Sequence, residues 1–208
     1  MINNVEKIAE LLKFDESGDI FYFLQVIKRK KDNPDLKGDI KICSKYVRSL
    51  DYFYFLLNNE IIPICELLHA RCYISLIPRS IKKLGKLELS IIAERVCTEN
   101  YARYLDIRDS CALNPKVIQW KGIIPKSRYM LDIDRKQDLD IILSKLTEKK
   151  IIPETIIETV LGYHIIVPGI CPENIWKDIK KSGSDYTFLD SNVSFTFLTE
   201  SNTILYFK

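Results

Sequence analysis

An α+β fold with a mostly antiparallel sheet is what this sequence predicts, and three observations carry the prediction. Strand-like runs rich in β-branched and aromatic residues, Ile20–Ile27 and Ile40–Val47, flank Asp32–Gly38, a stretch dense in turn formers, which is the pattern of a hairpin. Two more strand pairs follow: Thr155–Val160 with Tyr163–Val167 around Gly162, and Ser194–Leu198 with Thr203–Phe207 as a closing hairpin. Helical-period segments are interspersed among these strands in mixed order. At 208 residues, 47% hydrophobic and 28% charged, the chain is one large globular domain or two small ones with a full core.

Taken in order, Val5–Phe14 carries apolar residues at helical spacing and opens the chain as a helix. After the first hairpin, Asp51 is placed to cap a helix from Tyr52 that runs to His69, with Pro63 interrupting or restarting it. Cys72–Ile77 is a short strand ending in Pro78-Arg79-Ser80, where Ser80 is an N-cap for the long helical pattern Ile81–Tyr104. Asp106–Lys126, with Pro115 and Pro125, reads as irregular. Tyr129–Ile133 is a strand, Gln137–Leu146 a helix, and Pro172–Lys181 a short helix before the closing strands.

The net charge is +3, so no strongly basic or acidic partner is demanded. The densest cationic run, Lys28–Lys31, reads as a solvated hairpin tip. The six cysteines, at 43, 65, 72, 97, 111 and 171, form no CxxC pair and no zinc-ligand spacing with histidine, and read as reduced thiols. Neither a signal peptide nor an apolar run of membrane-spanning length is evident, so a cytoplasmic protein without membrane contact is expected.

Chemistry concentrates in two strands. Tyr129–Asp134 delivers Asp132 and Asp134 two residues apart, hence on one face of a strand, where paired carboxylates repel unless a cation lies between them. Mg²⁺ or Mn²⁺ bound by such a pair keeps several waters and takes further oxygens from substrate phosphates. Gly162–Val167 carries His164, placed to meet a nucleotide phosphate; its plain alternative is a core histidine. Gly162 itself permits close approach of a ligand or of backbone. Arg79, beside the helix opened by Ser80, offers a guanidinium to a phosphate or to a surface ion pair.

In this order, a strand ending in Pro78-Arg79, a helix, the strand Leu131-Asp-Ile-Asp134, a helix and Gly162-Tyr-His164 resemble the motifs of the archaeo-eukaryotic primase superfamily. The match is to its small phage-type primase-polymerase modules and covers roughly residues 70 to 170. That resemblance implies a primase-like fold, with an N-terminal α/β unit (1–105) packed on an RRM-like, mostly antiparallel unit (106–208). It implies a nucleotidyltransferase in which Asp132 and Asp134 hold Mg²⁺ or Mn²⁺ and His164 and Arg79 contact the triphosphate. The third metal ligand would be Asp190, or else Asp185. Implied partners are nucleotides and single-stranded nucleic acid, in a host cytoplasm if phage-encoded. Two readings compete with it. One is a catalytically inactive primase-fold protein of a phage or mobile element that binds nucleotide, nucleic acid or a host protein. The other is a nucleic-acid binder that stacks bases on Phe195, Phe197 and Tyr206.

Overall fold

The computed structural model describes residues 2–101, 106–118, 128–133, 135–168, 193–197 and 202–207. It is α+β, and every strand pair described is antiparallel. The first sheet has the order β1 (Ile2–Asn3), β10 (Asn202–Phe207), β4 (Arg71–Ser75), β2 (Ile20–Lys28) and β3 (Ile40–Val47), and β5 (Arg79–Ser80) also pairs with β2. The second has the order β7 (Thr155–Glu158), β8 (Tyr163–Pro168), β6 (Arg128–Ile133) and β9 (Val193–Phe197).

The β2–β3 and β7–β8 hairpins form as the turn chemistry expects. The closing hairpin does not. β9 pairs with β6 in the second sheet, whereas β10 lies between β1 and β4 in the first. The partners of these strands are therefore remote in sequence, and Tyr206 is anchored in the first sheet, 3% exposed, with its hydroxyl donating to Glu66 at 2.8 Å. A buried, hydrogen-bonded Tyr206 offers no ring to a nucleobase, which removes it from the base-stacking set; the side chains of Phe195 and Phe197 lie outside the described residues.

Helix α1 (Val5–Ala9) is shorter than its sequence pattern, and α2 (Leu50–Leu56) is capped by Ser49, whose hydroxyl accepts from Tyr52 N, so the helix starts two residues earlier than an Asp51 cap would allow. A π-helical turn at Leu57–Ile61 joins α2 to α3 (Ile62–Leu68) without a break in helical backbone, and Pro63, which has no N–H to give to the preceding turn, follows directly on that wider turn. Ser80 caps α4 (Ile81–Cys97) by accepting from Lys83 N at 3.1 Å, as its sequence predicts.

Residues Ile107–Leu113, expected to be irregular, form α5, because Ile107, Cys111 and Ala112 bury one face against Phe21, Phe23 and Leu84. Asp109 on the other side accepts from Tyr46 Oη and from Lys41 Nζ, both at 2.9 Å, and fastens α5 to β3. Burial alone would raise the Asp109 pKa, but the hydrogen bonds from Lys41 and Tyr46 outweigh it and hold the carboxyl below its usual value of 3.8. A lowered folded pKa stabilises the fold above the unfolded value, and that contribution is lost as the pH falls through the folded pKa. Urea titrations below pH 3.8 are therefore expected to show stability falling with pH, and Asp109→Asn should flatten that slope while lowering stability at neutral pH. An unchanged slope would show that the carboxylate bonds do not matter.

Both sheets contribute to one apolar core. Tyr22, Leu24, Val26, Cys72 and Ile74 of the first sheet share a cluster with α1 to α3 and with Met130, Ile157 and Ile166 of the second. At roughly 2 kcal/mol per fully buried large side chain, this cluster dominates cohesion. The opposite face of the second sheet, Leu131, Ile133, Ile165 and Val167, packs on α6 (Leu139–Glu148) through Ile142 and Leu146. Asn4, 2% exposed, bridges the sheets at one edge: its Nδ2 donates to Glu158 O at 2.8 Å and its Oδ1 accepts from Glu158 N at 3.2 Å. These bonds satisfy both polar backbone groups of Glu158.

Candidate active site

Alternation along β6 places the site. Leu131 and Ile133 face α6, and Met130 faces the core shared with the first sheet. Asp132, two residues from Met130, therefore lies on the Met130 face, and on β8 His164 lies on the face of Ile166 by the same rule. The two are direct register partners, with His164 Nε2 3.3 Å from Asp132 Oδ1. The His164 side chain is 12% exposed and that of Asp132 34%, so the pair opens to solvent at the carboxylate. The strand adjacency expected of a DxD strand and a histidine strand is thus present. Asp134, Asp185 and Asp190 lie outside the described residues.

Gly162 is explained by backbone. A Cβ built there would stand 1.6 Å from the carbonyl oxygen of Ile133 and 3.0 Å from Arg135 N. The β7–β8 turn closes directly onto the end of β6, so glycine at 162 lets the histidine strand reach the aspartate strand.

The cationic run at the β2–β3 turn, which reads in sequence as a solvated tip, bears on this pair only weakly, through charge. The β2–β3 connection contains a 3₁₀ turn at Lys30–Asp32. Burial pulls the Lys31 pKa down, as do the charges of Arg71 and Arg29, while Asp32 and Asp132 act in the opposite direction. Lys31 therefore lies within electrostatic reach of Asp132. Arg71 is engaged through two nitrogens by Asp32 and stacks over Phe207 at 5.0 Å. Arg29 meets Asp39 at 2.7 Å and lies 5.9 Å from the Tyr73 ring centroid. No carboxylate among the described residues is ion-paired with Lys31. The only sequence signal for this loop was the run of four cations at a turn.

Arg79 is placed inside the fold rather than on its surface. It is 2% exposed, its Nη1 donates to the carbonyl of Asn114 at 3.3 Å, and its Nε has no partner among the described residues. Burial lowers its pKa to about 10, so it remains cationic at neutral pH. It stands opposite Phe21 on β2, whereas Arg71 stands opposite Ile27. Six residues of strand put the two arginines about 20 Å apart along β2.

A Mg²⁺ or Mn²⁺ here would rest on Asp132 together with whatever the residues beyond Ile133 supply. Position 194 of β9, opposite Asp132 in the register, is serine, so that neighbour adds no carboxylate. No group of three or more metal-ligating side chains occurs among the described residues. A half-exposed carboxylate suits a hydrated cation shared with substrate phosphate. No helix among the described residues is long and apolar enough to cross a membrane. No family model matches the chain, and neither a curated protein nor a solved structure matches it.

Proposed function

We propose that the protein is a primase-polymerase-like nucleotidyltransferase that works in the cytoplasm on nucleotides and single-stranded nucleic acid with Mg²⁺ or Mn²⁺. The observation that carries this reading is the cross-strand pair of Asp132 and His164, 3.3 Å apart. An acid for a cation and a histidine for a phosphate are elements that phosphoryl transfer needs, because its catalysis is mostly positioning and charge stabilisation. The strand order β7-β8-β6-β9, with α6 following β6, supports an RRM-like second unit, in which β6 and β8 are the two central strands.

In this reading Asp132, with Asp134, holds the cation, which when bound neutralises charge on the triphosphate. Asp132 also orients the His164 ring from across the strand pair, and His164 donates to a phosphate oxygen. Lys31 contributes positive charge from the β2–β3 loop. Arg79 would act on the nucleotide only if the chain around Asn114 moved aside, so we assign it a buried supporting role in the reading.

The serine opposite Asp132 favours a second reading, a catalytically inactive protein on the same scaffold that binds nucleotide, nucleic acid or a host protein. Primer extension on a single-stranded template with Mn²⁺ separates the two. Extension by the wild type that is lost in Asp132→Asn supports the enzyme. Nucleotide binding without extension supports the inactive reading, and absence of both removes the site from nucleotide chemistry.

A further inference from the structure

A cavity lies on the first sheet, lined by neither Asp132 nor His164. It encloses about 430 Å³ between β3, the start of α2 and the first turns of α4. That is within the usual range of small-molecule sites, roughly 300–1,000 Å³. Phe21 sits in its floor, one residue into β2 and about 23 Å along the strand from its last residue, Lys28, so this cavity and the Lys31 loop are toward opposite ends of the strand.

Three features of the lining are chemical rather than merely concave. The first is aromatic surface: Tyr46 and Tyr52 contribute it, Tyr52 being 39% exposed, while Phe21 beneath them is fully buried. The Tyr46 hydroxyl is committed to Asp109, which leaves its ring as the part available to a ligand.

The second is charge. Lys45 is taken up by Glu60, and Arg108 by Glu88 at 2.9 Å. Arg48 has no ion-pair partner among the described residues. A guanidinium beside aromatic rings suits an anion carried on a flat ring, because guanidinium binds phosphate bidentately and the rings stack.

The third is Gly85. It stands inside the 17-residue helix α4, where glycine costs about 1 kcal/mol relative to alanine. Among the described residues nothing lies within 4 Å of a Cβ built there, so no packing contact demands glycine. Gly85 instead lines the cavity, and a larger side chain would enter it.

We propose that this cavity is a binding site for an aromatic phosphate of nucleoside-monophosphate size, with Arg48 taking the phosphate and Tyr52 with Tyr46 taking the ring. The site is separate from the Asp132–His164 pair, and its existence does not depend on that pair being catalytic.

The test is calorimetric titration of the full chain with AMP, adenosine and inorganic phosphate, in EDTA and in an Asp132→Asn, His164→Ala background, so that the other site contributes nothing. AMP is expected to bind at one equivalent and more tightly than either fragment. Arg48→Ala should weaken AMP at least tenfold and leave adenosine unchanged. Gly85→Leu should abolish binding of both, and a melting temperature no lower than that of the wild type would show that the helix still folds. The proposal is overturned if AMP does not bind at millimolar concentration, or if its affinity survives Gly85→Leu. Phosphate binding as tightly as AMP would also overturn it, since the aromatic surface would then be idle.

Discussion

Gly162→Ala is expected to destabilise the protein by on the order of 3 kcal/mol, a drop of roughly 6–12 °C in Tm for a chain of this size. The added methyl would have to occupy space 1.6 Å from the Ile133 carbonyl oxygen, a backbone atom at the end of a central strand. A flexible side chain could rotate away; a strand carbonyl cannot move without disturbing the β6–β8 ladder. The same substitution at Gly85 meets nothing within 4 Å and sits in a helix interior, so it should stabilise by up to about 1 kcal/mol. Two chemically identical changes are thus expected to have opposite signs. Parallel urea titrations of Gly162→Ala and Gly85→Ala decide the matter, and a Gly162→Ala protein within 0.5 kcal/mol of wild type would mean that the β7–β8 turn does not press on β6.

This contrast also shows what a glycine in sequence can and cannot say. Gly162 two residues before His164 was compatible with approach by ligand or by backbone, and only the geometry at Ile133 distinguishes them. Local signals were legible where partners were local. The β2–β3 and β7–β8 hairpins are joined by their own turns, and Ser80 caps the helix that follows it. Alternation on each strand showed which face Asp132 and His164 take, whereas the neighbouring of the two strands was an expectation from the order of the motifs, and β6 and β8 do pair.

Signals failed where the decisive partner was remote. Ser194–Leu198 and Thr203–Phe207 have the composition of a hairpin, yet β9 is drawn to β6 and β10 to β4, because each completes a different sheet. Ile107–Leu113 looked irregular beside Pro115, but its apolar face is stabilised by Phe21 and Phe23 of β2. Lys31 looked like solvated charge and is exposed; what sequence could not show is that it feels the charges of Arg71 and Arg29. Arg79 looked like a surface cation because burial of a guanidinium without a carboxylate runs against what its residue type favours.

The largest effect on activity is expected from Asp132→Asn. In the nucleotidyltransferase reading it should reduce Mn²⁺-dependent extension by on the order of a hundred- to a thousandfold, the range found when one preorganised electrostatic group is removed from a reacting phosphate or oxyanion. Asparagine keeps the shape and a hydrogen-bond acceptor toward His164 Nε2 while deleting the charge, so the fold should be retained and melting should change little. His164→Ala should cost less, because it removes one phosphate contact and leaves the carboxylate in place. Lys31→Ala should act differently again. The ammonium lies on a loop of the other sheet and contributes through charge at a distance, so its loss should raise KM for the nucleotide more than it lowers kcat. The Lys31 effect should also fade as salt is raised, since exposed charges are screened. That ordering, Asp132 above His164 and Lys31 confined to KM, is specific to a cleft in which the acid and histidine belong to one sheet and the cation to the other. Equal, mild effects from all three substitutions would instead describe a surface that holds a nucleotide and does no chemistry on it.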